Sequence, residues 1–163
     1  MIRDAVIDPT GIYRYSLTRT WSGVKSACVF VMLNPSKADA TIDDPTIRRC
    51  CSFAEAHGYG GIEVVNLYAY RATSPKELRA EGWPIGPEND DFLLDAFRRA
   101  MLRGSSIVCA WGAEAARTPR AGQVLHMIRG VGPQPYCLGT TAEGYPRHPL
   151  YVRGDAKFRP FAS

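Results

Sequence analysis

The sequence predicts an α/β fold, a three-layer αβα sandwich around a mainly parallel four-stranded sheet, with an N-terminal strand added at the edge. Short apolar runs rich in β-branched residues recur along the chain, and amphipathic segments typical of helices separate them. This alternation is typical of a parallel sheet with helices on both faces. No internal repeat or linker-like segment interrupts it, so residues 1–163 are expected to form a single domain.

The N-terminal strand is predicted within residues 11–21. Aromatic or apolar side chains alternate loosely with polar ones here, with Tyr15 and Leu17 on the apolar side and Arg14 on the polar side. A period of two is typical of a strand that buries one face and exposes the other. We therefore expect this strand at or near an edge of the sheet, with Arg14 on its exposed side.

The central strand is the apolar run at residues 29–33, which is followed directly by Asn34-Pro35-Ser36. Because proline has no backbone N–H and disfavours helical geometry in the residue before it, the strand must end here. Asn34 is thus expected at the carboxyl end of a central strand, where ligands bind in open α/β sheets. A plain turn is the alternative interpretation of this tripeptide.

A helix and a second buried strand are predicted after this loop. Asp44-Pro45-Thr46 is typical of a helix start, and glycines from residue 58 onward end the helix near residue 57. The apolar run at 62–67 predicts the second strand, which places Asn66 at the same sheet edge as Asn34. An asparagine that only caps the end of its strand is the alternative role for Asn66.

The rest of the chain completes the alternation. Residues 68–87 form a connection long enough that we expect it to be functional or partly helical. The tail at 139–163 has no clear periodicity. The remaining predicted elements are an amphipathic helix from about residue 87, a strand at 106–111, a short helix around 124–128 and a short strand at 136–138.

Composition narrows the class of protein. The formal charge of +4 permits a nucleic-acid partner without requiring one. The five cysteines are an odd number without a CxxC pair, so we expect no disulfide framework and no zinc or iron–sulfur site. We expect no cofactor. The sequence has no apolar run of membrane-spanning length and no signal-peptide core, which predicts a cytoplasmic protein with no membrane partner. We expect it to be a monomer.

Four short motifs resemble those of the uracil-DNA glycosylase superfamily, and they occur in the same order. Leu-Asn-Pro-Ser at 33–36 resembles the first motif of the mismatch-type enzymes, and NLYAYR at 66–71 is similar to a segment of the iron–sulfur type. The strand and turn at 107–117 resemble the next segment of those enzymes. His-Pro-Leu-Tyr at 148–151 resembles the His-Pro-Ser-Tyr motif that closes their site. Met32 stands where the mismatch enzymes have glycine.

A closer resemblance identifies the chain as a member of DUF1643, a family of domains of unknown function. Its members share LNPS-x-A-D, DDPTIRR, GPEND and PRHPL, and all four motifs stand in this sequence between residues 33 and 150. This resemblance implies no activity by itself. The glycosylase resemblance supplies the chemistry that we expect.

That resemblance implies hydrolysis of the N-glycosidic bond of a uracil-type or modified pyrimidine in DNA. Asn34 would position the water, because an amide cannot act as a general base. Asn66 would recognise the imide edge of the base, and His148 would donate to the base oxygen on which charge develops. Two alternatives stay open: a module that binds a modified base without catalysis, and an enzyme acting on free nucleotides or nucleosides. For His148, a surface histidine in a turn is the plain alternative.

The acidic loop adds further candidates. Asp43 and Asp44, with Asp39 nearby, can supply a general base or bind a divalent metal, or one of them can simply cap the following helix. The candidate catalytic residues are therefore Asn34, Asp43, Asp44 and His148. The candidate substrate contacts are Leu33, Pro35, Ser36, Asn66, Tyr68 and Phe53.

Contacts to DNA are expected from arginines and from the segment after His148. Arginine offers a fork of donors to phosphate, whereas an arginine on an ordinary helix face is solvated, as we expect for Arg49. Tyr68 or Phe53 can stack on an extruded base, although an aromatic residue in these positions is more often part of the core. The candidate DNA contacts are Arg48, Arg71, Arg147, Tyr151 and Arg153.

Overall fold

In a computed structural model that describes residues 1–162, the chain forms one mixed seven-stranded sheet with four α-helices. The strands are β1 (Ile2–Ile7), β2 (Arg14–Thr20), β3 (Ala27–Met32), β4 (Gly61–Asn66), β5 (Ile107–Cys109), β6 (Pro135–Cys137) and β7 (Arg159–Pro160). The helices are α1 (Pro45–Ala56), α2 (Pro75–Ala80), α3 (Asn89–Arg103) and α4 (Arg120–Val131). Two short 3₁₀ helices span Ala113–Arg117 and Pro149–Tyr151.

The sheet is larger than the sequence predicts. Its strand order is β1-β2-β4-β3-β5-β6-β7, with β4, β3, β5 and β6 parallel to one another and β1, β2 and β7 antiparallel to their neighbours. The prediction of four strands with one added edge strand omitted β1 and β7. Most of β1 is exposed, and β7 has only two residues, so neither carries the burial pattern that identifies a strand.

The strand β2 lies near an edge of the sheet, as expected, but one position inside β1. This strand is paired on both sides, with β1 and with β4, so it is not an edge strand. Both of its arginines, Arg14 and Arg19, are buried. Arg14 is therefore not on an exposed side, as local alternation predicts, because a loop that is distant in sequence covers it and accepts its hydrogen bond at the carbonyl of Ala38.

Two apolar cores lie on opposite faces of the sheet. Val29 and Val31 of β3 pack in the core that α3 and α4 cover, whereas Cys28, Phe30 and Met32 pack in the core that α1 covers. Successive side chains of a strand point to opposite faces, so burial on both faces explains the continuous apolar run of β3. Within residues 1–162, no helix has the length and apolar character needed to cross a membrane.

The acidic loop before α1 is held to the sheet by Arg19. This guanidinium is fully buried; its Nε donates to Oδ1 of Asp43 at 2.8 Å, and its Nη atoms donate to the carbonyls of Thr18 and Asp39. A buried arginine is tolerated when an acid pairs with it and its remaining donors are bonded. The Arg19–Asp43 ion pair thus holds the segment before α1 against β2.

We expect Asp43→Ala to lower the free energy of unfolding by about 3 kcal/mol, because it leaves the buried Arg19 cation without its acid. The side chain of Asp43 is 20% exposed, so the expected loss of stability lies at the lower end of the range for breaking a buried ion pair. Urea denaturation measures the change. Asp155→Ala is the matched control, since Asp155 pairs with Arg153 on the surface and its loss should cost less than about 1 kcal/mol. Equal losses in both variants would contradict a structural role for the Arg19 pair.

Candidate functional site

A cleft of about 680 Å³ lies at the carboxyl ends of the parallel strands. Asn34 lies just beyond β3, Asn66 is the last residue of β4, and Gly112 follows β5. His148, which precedes the second 3₁₀ helix, also lines this cleft. The structure therefore brings together Asn34, Asn66 and His148, the three residues that sequence motifs place at the site, although they are far apart in the chain.

Asn66 is the most unusual residue of the cleft. Its side chain is fully buried, and neither Oδ1 nor Nδ2 has a hydrogen-bond partner in the part of the chain that the structure describes. Its backbone carbonyl does have a partner, since it accepts from Nδ2 of Asn89 at 2.9 Å. A buried amide without partners is costly, and its two polar atoms match a ligand that offers one donor and one acceptor.

Asn34 has a fixed orientation. Its Nδ2 donates to the carbonyls of Pro35 and Ala72, both at 2.9 Å. Because these two carbonyls can only accept, they assign the nitrogen and the oxygen of the amide. Oδ1 of Asn34 receives no hydrogen bond from residues 1–162, so it is an acceptor that a water or a ligand can use.

His148 is held as a neutral imidazole. The backbone N–H of Leu150 donates to its Nδ1 at 3.2 Å, which leaves the ring proton on Nε2. Burial lowers the pKa of His148 from its ordinary value of 6.5, and the nearby Asp44 carboxylate opposes this effect. The ring therefore offers one neutral N–H donor at the cleft.

Arg49 anchors the segment that carries His148. Its Nε donates to the carbonyl of Pro149 at 3.2 Å and its Nη2 donates to that of Val152, so α1 is tied to both ends of the second 3₁₀ helix. The expectation that Arg49 is solvated is wrong, since both bonds are to residues about a hundred positions away. Only its place in the DDPTIRR motif marked it in the sequence.

The acidic residues of the loop do not converge. Asp44 lines the cleft and also caps α1, where its Oδ1 accepts from the N–H of Ile47 at 2.9 Å. Asp43 is turned to Arg19, and Asp39 accepts from the backbone N–H groups of two loop residues, which lower its pKa. Among the residues described, no group of three His, Cys, Asp or Glu side chains could hold a metal ion.

Arg14 is a cleft residue that the sequence did not reveal. It is only 2% exposed, and its Nη1 donates to the carbonyl of Ala38 at 3.1 Å, whereas its Nε has no partner within residues 1–162. Burial lowers its pKa to about 10; Asp44 opposes the shift, and Arg71 and Arg19 add to it. Alternation in β2 assigned Arg14 to solvent, so no local signal identified it.

The aromatic candidates lie outside the cleft. Tyr68 packs in the core beneath α3 and α4, where its hydroxyl bonds Thr118, and Phe53 packs in the core beneath α1. Trp111 and Tyr151 line the cleft instead. Of the other candidate substrate contacts, Leu33 and Ser36 line the cleft; Pro35 contributes a carbonyl to the Asn34 amide.

Two of the five candidate DNA contacts lie at the cleft. Arg147 and Tyr151 line it, and Tyr151 is 76% exposed. Arg71 borders a second cavity of about 280 Å³ and donates to the carbonyls of Ser36 and Gly11. The other two are exposed on the surface: Arg48 donates to the Asp43 carbonyl, and Arg153 pairs with Asp155.

Comparison with known proteins places the chain in one family. Residues 14–150 match the family model described as Protein of unknown function (DUF1643). No curated protein and no solved structure matches the chain. The matched region holds Arg14 and Asn34 and extends to Leu150, so it includes nearly the whole wall of the cleft. Because that match covers more than half of the sequence, the chain belongs to the DUF1643 family.

Proposed function

We propose that this protein is a glycosylase-like domain that recognises a uracil-type or modified pyrimidine in DNA and hydrolyses its N-glycosidic bond. The unpartnered, buried side chain of Asn66 carries the proposal. An amide presents one acceptor beside one donor, which complements the N–H and carbonyl oxygen of a pyrimidine imide. The proposed relationship to the uracil-DNA glycosylase superfamily extends to the layering, with α1 on one face of the sheet and α3 and α4 on the other.

The proposed mechanism assigns a separate role to each of three polar groups of the cleft. The free Oδ1 of Asn34 orients a water, and the carboxylate of Asp44 accepts a proton as that water attacks the sugar carbon. The bond between the sugar and the base breaks, and its electron pair passes to the base. The Nε2–H of His148 donates to the base oxygen on which negative charge develops.

DNA is the proposed macromolecular partner. Arg147 and the exposed Tyr151 lie at the cleft, and Arg153 follows on the same segment. Arg48 and Arg71 add cationic groups from neighbouring loops and from α1, and the chain carries a formal charge of +4. An exposed aromatic side chain beside arginines suits a nucleotide that is turned out of its stack.

An enzyme acting on free nucleotides or nucleosides is the second candidate. The cleft of about 680 Å³ is large enough for a whole nucleotide, and such pockets bury most of a small ligand. This candidate requires no extrusion of a base from a duplex. The two candidates share Asn66 as the group that recognises the base and differ in whether a polynucleotide is needed.

Free base should be released when the pure protein is incubated with oligonucleotides that carry a panel of modified pyrimidines. Mass spectrometry of the released bases, compared with a parallel panel of free nucleosides, separates the two candidates. Asn66→Ala should weaken base binding by about tenfold or more, because two hydrogen bonds of roughly 1–3 kcal/mol in total are lost. Binding without any release would leave a base-binding module, and no binding would refute the proposal.

Asp44→Asn should reduce turnover by at least about a hundredfold, because an amide cannot accept the proton of the attacking water. Asparagine still caps a helix, so the variant should fold with little loss of stability. Asp43→Asn is the matched control: it removes the neighbouring charge outside the cleft, and its turnover per folded molecule should stay near that of wild type. Steady-state rates and thermal unfolding measure both effects. Equal rates in the two variants would exclude Asp44 as the base.

Turnover should persist as the pH falls through 6.5 and decline only at lower pH, because burial lowers the pKa of His148. Protonation adds an N–H at Nδ1, which then faces the N–H of Leu150 and breaks that contact. His148→Gln keeps a neutral donor that does not titrate. The ratio of wild-type to variant turnover over roughly pH 5 to 8 isolates this group. A ratio near one at every pH would exclude His148 from the reaction.

A further inference from the structure

We propose that Arg14 is an oxyanion-recognition residue, and that the ligand is a uracil-type pyrimidine carrying a carboxylate on its ring. This inference rests on the proposed function and narrows its substrate. It is based on the juxtaposition of Arg14 and Asn66, two buried side chains with unpartnered polar atoms that line the same cleft.

The two buried arginines of β2 differ in how they are compensated. Arg19 has donors bonded on all three nitrogens, including one to the carboxylate of Asp43. Arg14 makes one hydrogen bond, to the carbonyl of Ala38, and among residues 1–162 no carboxylate lies within ion-pair distance of it. A buried cation is costly unless it is paired. Arg14 therefore lacks the anionic partner that Arg19 has.

Within the residues that the structure describes, the charged groups around Arg14 do not include a carboxylate that is bonded to it. Asp44, the N-cap residue of α1, raises the pKa of Arg14, whereas the guanidinium groups of Arg71 and Arg19 lower it. One oxygen of Asp44 is already used to cap α1. With a pKa of about 10, Arg14 remains a cation at neutral pH. An anionic oxygen on a ligand would supply the missing partner.

The arrangement of unpartnered atoms points to one ligand rather than two. Five buried side-chain polar atoms lack a partner in the described part of the chain, and three of them belong to Arg14 and Asn66. Both residues line the cleft together with the apolar side chains of Met32 and Val64. The imide edge of plain uracil satisfies Asn66 but leaves Nε of Arg14 unbonded. A ring carboxylate adds an acceptor that carries a full charge.

A nucleotide phosphate is another source of the same oxyanion chemistry. A phosphate has several oxygens, and sites that bind it usually offer several donors or a helix N-terminus. Arg14 is deeply buried and lines the same cleft as Asn66, the residue proposed to bind the base. The N-terminus of α1 also lines this cleft, but Asp44 caps it and places a carboxylate there, which disfavours a phosphate. These features favour a carboxylate on the base itself.

Calorimetric titration of the wild-type protein tests the inference without relying on a variant. The probes are uracil, 5-carboxyuracil, 6-carboxyuracil and the matching neutral carboxamides, which have the shape of the acids without the charge. We expect one of the two acids to bind about tenfold or more tightly than its carboxamide and than uracil, since a charge-assisted hydrogen bond is about twice as strong as a neutral one. Acid and amide of equal affinity would overturn the inference.

Variants of Arg14 assign the preference to this residue. Arg14→Met keeps an unbranched side chain and should abolish the preference for the acid over its carboxamide; Arg14→Lys should retain part of the preference. Asn66→Ala should weaken all probes alike. A preference that survives in Arg14→Met, in protein whose thermal unfolding remains cooperative, would overturn the inference.

Uridine and uridine 5′-monophosphate test the phosphate as the source of the oxyanion. A preference for the monophosphate that Arg14→Met abolishes would overturn the assignment to a ring carboxylate. Uracil binding that depends on Asn66, without any preference for an acid, would refute only the inference and leave the proposed function standing. Absence of binding by every probe and by the oligonucleotide panel would refute both.

Discussion

The parallel pairing of β3 with β4 and β5 is the constraint on which the site depends. β3 is buried on both faces, so it occupies the middle of the sheet and its two neighbours run in the same direction. Parallel strands end at one edge, and the segments that follow them must therefore meet there. Asn34, Asn66 and Gly112 share a cleft for this reason, and the chain returns His148 to it through the segment that Arg49 anchors.

Polar groups are distributed unevenly between the structural and the candidate functional parts of the molecule. The loop that leaves β3 is bonded internally: the amide of Asn34 holds two carbonyls, and Arg19 holds the acidic segment before α1. By contrast, Asn66 and Arg14 keep buried polar atoms unbonded where they line the cleft. Native proteins satisfy nearly all such atoms internally, so unmet groups concentrated at one concave surface are typical of a binding site.

The fold could be predicted largely from local patterns. The apolar runs of β3 and β4, the Asp44-Pro45 start of α1 and the periodicity of α3 identified these elements within a few residues. The sequence did not predict the exposed strand β1 or the two-residue strand β7. It therefore did not predict that β2 is paired on both sides. Their stability comes from pairing with strands that are distant in sequence, and pairing leaves no periodic mark on the paired segment.

For the site, the sequence by itself determined which asparagines end the parallel strands, and hence that Asn34 and Asn66 meet at one edge. It also determined the family, through motifs that include His148. Only the tertiary structure decided that Asp44 lines the cleft while Asp43 pairs with Arg19, that Tyr68 and Phe53 belong to the core, and that Arg14 is buried with an unbonded Nε. Strand ends follow from local chemistry. Which face of a strand or helix is covered depends on elements that are distant in the sequence, so it is decided by tertiary packing.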